Sequence, residues 1–209
     1  MRMQFPNMDY KEKAIDYINE LLEYGSDTDG CGSLNRYLRE STYEEWLKKV
    51  ISDIDIANVV KSKVPALTYF YVREEDDRIV GMINIRLALN DFLRNEAGHI
   101  GYSVRPTERR KHYGTEMLKC GLEVCRRIGI ENVIVSCDKD NPASAGVIKT
   151  CGGVLEAELY SETFKAVIQR YVINIADKLG IWRNNLMVLE TERLTLRPWE
   201  ESDAAECYK

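Results

Sequence analysis

Two adjacent runs of β-branched and aromatic residues constrain the fold of this chain more than any other feature. They are ALTYFYVR (66–73) and IVGMINIRL (79–87), and only a short acidic turn separates them. Runs of this kind joined by so short a connection predict an antiparallel hairpin. A further run, HIGYSV (99–104), ends just before Pro106. The sequence therefore predicts three consecutive antiparallel strands.

Helical periodicity flanks these strands. An amphipathic helix is predicted between Tyr10 and Tyr24, and a second helix is predicted to begin at Ser41 and Thr42, where glutamates follow as in a capping box. The turn-rich stretch GSDTDGCG (25–32) between them is read as a loop. A third helix, from about residue 113 to 127, is predicted to stop at Gly129. The residues expected to be buried in these helices are Ala14, Ile15, Ile18, Leu21, Leu22, Trp46, Leu47, Val50, Met117, Leu118, Gly121, Leu122 and Cys125.

The C-terminal part of the domain is predicted to contain a further strand, a helix and two final strands. NVIVSC (132–137) is typical of a buried strand, and the turn DKDNP (138–142) leads into a helix of about ten residues that Gly152 and Gly153 close. Two final strands, VLEAELY and TFKAVIQRYVINI, follow. This order predicts an α+β fold, with a mixed and mostly antiparallel central sheet and helices on both faces.

A boundary is expected after residue 175. Residues 176–187 resemble a linker, and VLETERLTLRPWEESDAAECYK (188–209) begins a new strand and helix that cannot bury a core by themselves. We therefore expect one domain over 1–175 and the start of a second unit.

Composition excludes several classes of protein. With 44% hydrophobic and 30% charged residues, the 209-residue chain is neither disordered nor fibrous. A net charge of −5 argues against general nucleic-acid binding. The sequence shows no signal peptide and no apolar run of about 18 residues or more, so a cytoplasmic protein without membrane contact is expected. Its 6 cysteines form no CxxC motif, which predicts neither a metal site nor a disulfide framework.

The segment HIGYSVRPTERRKHYGTEML (99–118) carries the strongest indication of chemistry. A strand ends, a loop with the bases Arg105, Arg109, Arg110 and Lys111 follows, and a helix begins near Gly114. Unpaired amides at a helix N-terminus and nearby cations favour a phosphate or diphosphate group. The alternative for such a loop is a solvated surface.

This segment resembles the acetyl-CoA signature of the GNAT family of acyl-CoA N-acyltransferases, an R/QxxGxG/A loop after a strand. The matching positions are Val104, Pro106, Arg109, His112 and Gly114. His112 replaces the central glycine of the family pattern, where a positive φ favours glycine. Histidine tolerates such a backbone better than a β-branched residue does, so binding is expected to survive.

The resemblance extends from about residue 8 to 175. DNPASAGVIKTCGG (140–153) is similar to a second family segment through Asn141, Ser144, Gly152 and Gly153. Asn141 is expected to contact the pantetheine arm, to cap a helix, or to do both. GMINIRLALN (81–90) and CGGVLE (151–156) resemble an uncharacterised bacterial branch described only as predicted acetyltransferases. Members of that branch tend to carry histidine at the position of Leu87 and glycine at the position of His112, so any role of these two positions in the branch is not transferred to this chain.

The resemblance implies a GNAT fold that binds acetyl-CoA between splayed strands, with direct acetyl transfer to a primary amine of a small molecule or peptide. The residues that it places at the cofactor are Tyr102, Ser103, Val104, Arg109, Arg110, Lys111, His112, Tyr113, Gly114, Thr115, Asn141 and Ser144. The two N-terminal helices and residues 86–95 are expected to select the acceptor.

The catalytic groups are less clearly marked. His99 is the first candidate for the general base, Glu96 is the second and a bound water is the third. A satisfied histidine at the end of a strand is the alternative for His99. Ile148 stands where many relatives carry a tyrosine acid, which leaves Tyr160 or water as proton donor.

Two further expectations concern partners. Residues 188–209 resemble the opening of another GNAT branch, that of ribosomal-protein and aminoglycoside acetyltransferases. They represent either a truncated second domain or a strand that docks onto a sheet edge of its own or a neighbouring chain, which would allow a homodimer. The rival function is a catalytically inactive acyl-CoA-binding sensor or scaffold.

Overall fold

The computed structural model describes residues 1–176, 189–191 and 194–196, and residues 1–175 form one compact unit. Its helices are α1 (Lys11–Glu23), α2 (Leu34–Glu40), α3 (Tyr43–Ser52), α4 (Tyr113–Arg127) and α5 (Pro142–Thr150). Its strands are β1 (Arg2–Gln4), β2 (Ala66–Arg73), β3 (Arg78–Arg86), β4 (Ile100–Val104), β5 (Asn132–Asp138), β6 (Val154–Ser161) and β7 (Ala166–Asn174). A π-helix, Leu93–Ala97, precedes β4, and a 3-10 turn, Pro106–Glu108, follows it.

The strands of this unit form two sheets, with the orders β1-β2-β3-β4 and β5-β7-β6, and every pairing within them is antiparallel. The α+β class is thereby confirmed. The single sheet that the sequence predicts is divided between β4 and β5, where one isolated bridge joins Gly98 to Val135. This division creates the site described below.

Helices cover both faces of the first sheet, as predicted. On one face, Phe70 and Met82 pack into a buried cluster with Trp46 of α3 and Tyr17 of α1. On the other face, α4 lies close to β3 because Gly121 has no side chain; a Cβ there would stand 2.7 Å from Ile83 Cδ1. In α1 the prediction differs in detail, since Leu22 is exposed and Tyr17 is buried instead.

Several short elements were not predicted, among them β1, α2 and the π-helix. β1 has three residues and is held by pairing with β2, while α2 has seven residues directly after the turn-rich loop. The π-helix has five. Such segments are too short for periodicity and depend on tertiary contacts. The predicted cap is confirmed, because Thr42 accepts a hydrogen bond from the Glu45 amide at 3.2 Å.

Arg105 fastens α1 to the end of β4. Its side chain is 1% exposed and donates to Glu20 at 2.6 Å, to Asp16 at 2.9 Å and to the Ile79 carbonyl at 2.8 Å. Burial alone would raise the pKa of Glu20, but hydrogen bonds from Thr107 and Arg105 lower it overall. The first base of the predicted loop is therefore a structural ion pair.

The C-terminal residues belong to a second unit. Within it, Leu189–Thr191 and Leu194–Leu196 pair as a two-stranded antiparallel hairpin. Apart from its first residue, the predicted linker over 176–187 lies outside the described residues, as does the helix predicted beyond residue 196. The proposal of a second GNAT-like unit or docking strand over 188–209 stays a prediction.

Replacing Arg105 tests this fastening. Arg105→Met should lower the free energy of unfolding by about 3–5 kcal/mol, because it removes the buried guanidinium that binds Asp16, Glu20 and the Ile79 carbonyl and leaves the partly buried Glu20 with Arg78 as its one ion-pair partner among the described residues. Lys48→Met, which removes a cation from the exposed Lys48–Glu45 pair, should cost less than about 1 kcal/mol. Urea unfolding of both variants measures the difference, and equal losses would contradict the assignment.

Candidate functional site

The site is a wedge between β4 and β5. The two strands meet where the His99 amide donates to the Ile134 carbonyl at 2.7 Å, and beyond this contact each lies at the edge of its own sheet. Gly98 makes the junction feasible: it has φ +67, and a Cβ there would lie 2.4 Å from the Ile134 oxygen. One edge of β4 is thus left without a partner strand.

The loop that ends at α4 presents backbone amides at the mouth of the wedge. Arg110 and His112 both have φ of 64°, and the first α4 amide with an intrahelical acceptor is that of Glu116, which donates to His112 at 3.1 Å. The amides of Tyr113, Gly114 and Thr115 precede it and have no intrahelical acceptor. Alternating left-handed residues followed by a helix N-terminus form an anion-binding concavity. His112 adopts the backbone that glycine would take, as the sequence analysis allowed.

The basic residues of the loop have different roles. Lys111 pairs with Glu108 at 2.8 Å, and Arg109 donates to Ser26 Oγ at 2.9 Å and to the Val104 carbonyl at 3.3 Å. Arg110 is exposed and has no hydrogen bond or ion pair within the described residues. The sequence analysis grouped Arg105 with these bases, and this was wrong because Arg105 is buried against α1.

The wall of the wedge is formed by β4, α4 and α5. A Cβ on Gly114 would lie 3.4 Å from both Val104 Cγ2 and Val147 Cγ2. The Tyr102 hydroxyl reaches Ser144 Oγ at 3.0 Å, and burial raises the pKa of Tyr102, so this phenol keeps its proton.

The remaining residues that the resemblance placed at the cofactor have local partners. Asn141 caps α5 by accepting from the Ser144 amide at 3.0 Å, which is the structural alternative considered for it. The Thr115 carbonyl accepts from Cys151 Sγ at 3.7 Å. Ser103 uses its hydroxyl on the opposite face of β4, where it donates to the Asp29 carbonyl at 2.5 Å.

The two side chains proposed as general base lie near the apex of the wedge. Nδ1 of His99 accepts a hydrogen bond from the Ile134 amide at 2.9 Å, and burial, aided by Arg86 and Arg94, lowers the pKa of His99 to about 4. Glu96 lies on the π-helix and accepts from the Ser161 hydroxyl. The geometry favours the structural alternative for His99, because its accepting nitrogen is already occupied. Its catalytic role stays a prediction.

A cavity of about 450 Å³ opens on the opposite face of β4. It is lined by the loop over residues 28–33 and by the end of β3 with the segment after it. The loop lies directly on β4, since a Cβ on Gly30 would stand 2.6 Å from the Gly101 carbonyl oxygen.

Asp29 and Arg86 line this cavity, and the sequence analysis named neither as a site residue. Burial, with the nearby charges of Asp27 and Asp138, raises the pKa of Asp29 against the opposing effect of Arg86. Burial lowers the pKa of Arg86. The available signal for Arg86 was the segment over residues 86–95, which the sequence analysis expected to help select the acceptor, whereas the stretch that carries Asp29 was read as a loop.

The sequence profile of the acetyltransferase (GNAT) domain matches residues 16–154. The chain belongs to the GNAT acetyltransferase family. No curated protein sequence matches this GNAT protein. Among the described residues of this acetyltransferase, no cluster of His, Cys, Asp or Glu side chains could hold a metal ion, and no helix has the length and apolar character to span a bilayer.

Solved structures show the same fold. RimL, a ribosomal L7/L12 α-N-protein acetyltransferase in complex with CoA, is 17% identical with a TM-score of 0.60 over 83% of this chain and 93% of that one. The microcin C7 self-immunity acetyltransferase MccE, in complex with acetyl-CoA and AMP, is 19% identical with a TM-score of 0.60 over 83% and 91%. A SpeG chimera of Vibrio cholerae spermidine N-acetyltransferase and hSSAT is 15% identical with a TM-score of 0.57 over 83% and 96%.

The conformation of His112 in this GNAT domain can be tested by stability. His112→Gly should raise the free energy of unfolding by about 0.5–1 kcal/mol, because glycine adopts φ of +64° without the Cβ clash. His112→Val should lower it by about 1–2 kcal/mol, and His112→Asn should change it little. Urea unfolding would contradict the assignment if valine and glycine gave the same stability.

His99 should contribute to the pH dependence of stability. The unfolded chain binds a proton at His99 near pH 6.5 and the folded chain only near pH 4, so stability present above pH 6.5 is lost as pH falls towards 4. The loss should reach about 2–3 kcal/mol. His99→Asn keeps an acceptor for the Ile134 amide but cannot titrate, so its stability deficit against the parent should narrow by this amount between pH 7 and 4. A constant deficit in urea unfolding would contradict the lowered pKa.

Proposed function

We propose that this GNAT domain is an acetyl-CoA-dependent N-acetyltransferase that moves an acetyl group directly to a primary amine of a small molecule or peptide. One observation carries the proposal: unpaired amides at the N-terminus of α4 face the mouth of a wedge, and one wall of that wedge is the free edge of β4. A ligand with a diphosphate at one end and an extended amide arm at the other satisfies both sets of backbone groups.

The residues present fit CoA. The amides of residues 113–115 would hold the diphosphate, and the exposed guanidinium groups of Arg109 and Arg110 would add charge-assisted contacts. The edge of β4 from Tyr102 to Val104 would pair with the amide arm. Ser136 Oγ of β5 is buried without a hydrogen-bond partner in the described structure and offers one more polar contact. CoA or acetyl-CoA in the structures of RimL and MccE supports this assignment.

Acetyl-CoA supplies a thioester whose carbonyl carbon gains a bond to the amine nitrogen and loses its bond to sulfur. The residues of this chain must therefore bring a neutral amine to the wedge, accept the proton that the amine loses and supply a proton to the departing sulfur. Binding in a fixed geometry also lowers the entropic cost of the encounter.

The proton-transfer groups remain part of the proposal. Glu96 and a bound water are favoured over His99 as base, because His99 Nδ1 accepts from Ile134. Ile148 is fully buried and Tyr160 lies exposed on β6, whereas the protonated Tyr102 hydroxyl stands at the wall of the wedge. Tyr102 or water would therefore supply a proton to the thiolate.

The acceptor is the least determined part of the function. RimL is described as acting on a ribosomal protein and the SpeG chimera as a spermidine acetyltransferase, so amines of different sizes are acetylated by proteins of this fold. A cytoplasmic location, a homodimer and the absence of a nucleic-acid partner stay predictions for this chain.

A pair of glycine variants tests the wedge. Gly114→Val should weaken CoA binding at least about 100-fold, because a branched side chain would fill the space between Val104 and Val147. Gly146→Val is the matched control, since a Cβ on Gly146 meets nothing within 4 Å, and its affinity should be unchanged. Calorimetric titration with CoA measures both variants, and full affinity in Gly114→Val would show that the wedge is misassigned.

A thiol-release assay with acetyl-CoA and a panel of primary amines tests catalysis. Release that depends on an amine is the expected result. If CoA binds but no amine accelerates release, the domain is the acyl-CoA-binding sensor that the sequence analysis kept as its alternative.

A further inference from the structure

The cavity beside β4 holds a cation that has no direct carboxylate partner among the described residues. Arg86 ends β3, and its Nη1 donates to the Ala97 carbonyl at 2.8 Å and to the Gly98 carbonyl at 3.0 Å. No carboxylate of the described residues lies within 4 Å of its guanidinium. A half-buried guanidinium is normally paired, because removing it from water is costly.

The carbonyl contacts fix the direction of this guanidinium. They occupy the two N–H groups of Nη1, so the N–H groups on Nε and Nη2 remain, and these can form a fork for a planar anion. Nη2 lies over Gly101 of β4, where a Cβ would stand only 3.2 Å away. Arg86 is therefore held rigidly, with donors left over, beside the strand that lines the wedge.

The other charges of the cavity are unevenly distributed. Lys49 and Asp53 form an ion pair with each other. Lys63 and Asp29 also line the cavity and have no ion pair within the described part of the chain. Two cations, Arg86 and Lys63, thus face one carboxylate, which disfavours a polycation as ligand.

Asp29 lies at the β4 end of the cavity. The Ser103 hydroxyl of β4 donates to the Asp29 carbonyl at 2.5 Å, and the next residue, Gly30, touches Gly101 and Tyr102. The amide nitrogen of Gly30 would be 3.4 Å from a Cβ on Gly101, while Arg86 Nη2 would be 3.2 Å from the same position. Arg86 Nη2 and the Gly30 amide therefore flank the space that glycine leaves open on this strand, and Asp29 lines the same cavity.

We propose that the acceptor is a zwitterion, an amine with a carboxylate close to it, such as an amino acid. Arg86 binds its carboxylate, with Lys63 at the rim, and Asp29 binds its ammonium group next to β4. This inference rests on the proposed function, because it assigns the cavity to the acceptor of acetyl transfer. Asp29 would accept one proton from the ammonium group. The neutral nitrogen then bonds to the acetyl carbon as the carbon–sulfur bond breaks, its second proton passes to Glu96 or the bound water named above, and the thiolate takes a proton from Tyr102 or water.

Matched acceptors provide the first test. Thiol release by the full chain is measured with leucine, glutamate and methionine and with the α-carboxamide of each. We expect kcat/KM to be at least about 100-fold higher for the acids, because the amides leave Arg86 unpaired. The α-amine of an amino-acid carboxamide is less basic than that of the free amino acid, so a difference in deprotonation alone would make the carboxamides react faster. Equal or faster reaction of the amides would overturn the inference and leave the proposed acetyltransferase intact.

Variants provide the second test. Arg86→Lys keeps the charge but loses the fork, and it should reduce the preference for acids over amides at least tenfold, through KM for the acids. Arg36→Lys on α2 is the control for the same exchange at an exposed site and should leave the preference unchanged. Equal slowing of acids and amides by Arg86→Lys would place Arg86 in the transition state or the fold and overturn the assignment.

Lys63→Gln avoids any problem of folding, because Lys63 is exposed and has no ion pair in the described residues. It should raise KM for the acids about two- to fivefold and leave the amides unchanged. An unchanged KM for the acids would remove Lys63 from the carboxylate site. If neither acids nor amides react while other amines of the panel do, the zwitterion inference is overturned and the acetyltransferase stands; if no amine reacts at all while CoA binds, the proposed acetyltransferase itself fails.

Discussion

The junction between His99 and Ile134 is the contact on which the architecture of the site depends. There, the His99 amide and imidazole take up both the carbonyl and the amide of Ile134. The contact ties together two sheets that otherwise have no continuous ladder between them. Because β4 and β5 are joined at one point only, their free edges diverge, and the wedge follows from this single attachment. Residue 98 must be glycine for the same reason, because a Cβ there would overlap the Ile134 carbonyl oxygen.

Buried charge fixes the elements around the wedge. Arg105 binds α1 to the end of β4. Glu108, which is 4% exposed, forms ion pairs with Arg73 and Lys111 beneath the loop. These pairs hold the loop from underneath and leave Arg109 and Arg110 at its surface. Whether a basic residue of this loop forms an internal ion pair therefore depends on whether a carboxylate lies close to it. The residues without such a partner are the ones whose charge remains for a ligand.

Periodicity predicts α1, α3, α4, α5 and the strands from β2 to β7, because each buries one face over several turns or alternations. It misses β1 and α2, whose few residues gain their order from contacts with β2 and with the core. The glycine-like backbone of His112 was foreseeable, since the loop pattern requires it. The occupied nitrogen of His99 was not, because its partner Ile134 is distant in sequence and only the packing of the two sheets brings them together. Arg86 and Asp29 come to line one cavity for the same reason.

The close approach of Gly30 to Gly101 and Tyr102 has a mechanical consequence. The backbone of β4 separates the wedge from the acceptor cavity, and the loop of residues 28–33 rests on that backbone without an intervening side chain. Any side chain at residue 30 would push the loop away from the strand, because its Cβ would lie 2.6 Å from the Gly101 carbonyl oxygen. The width of the cavity therefore depends on the absence of a side chain at this one position.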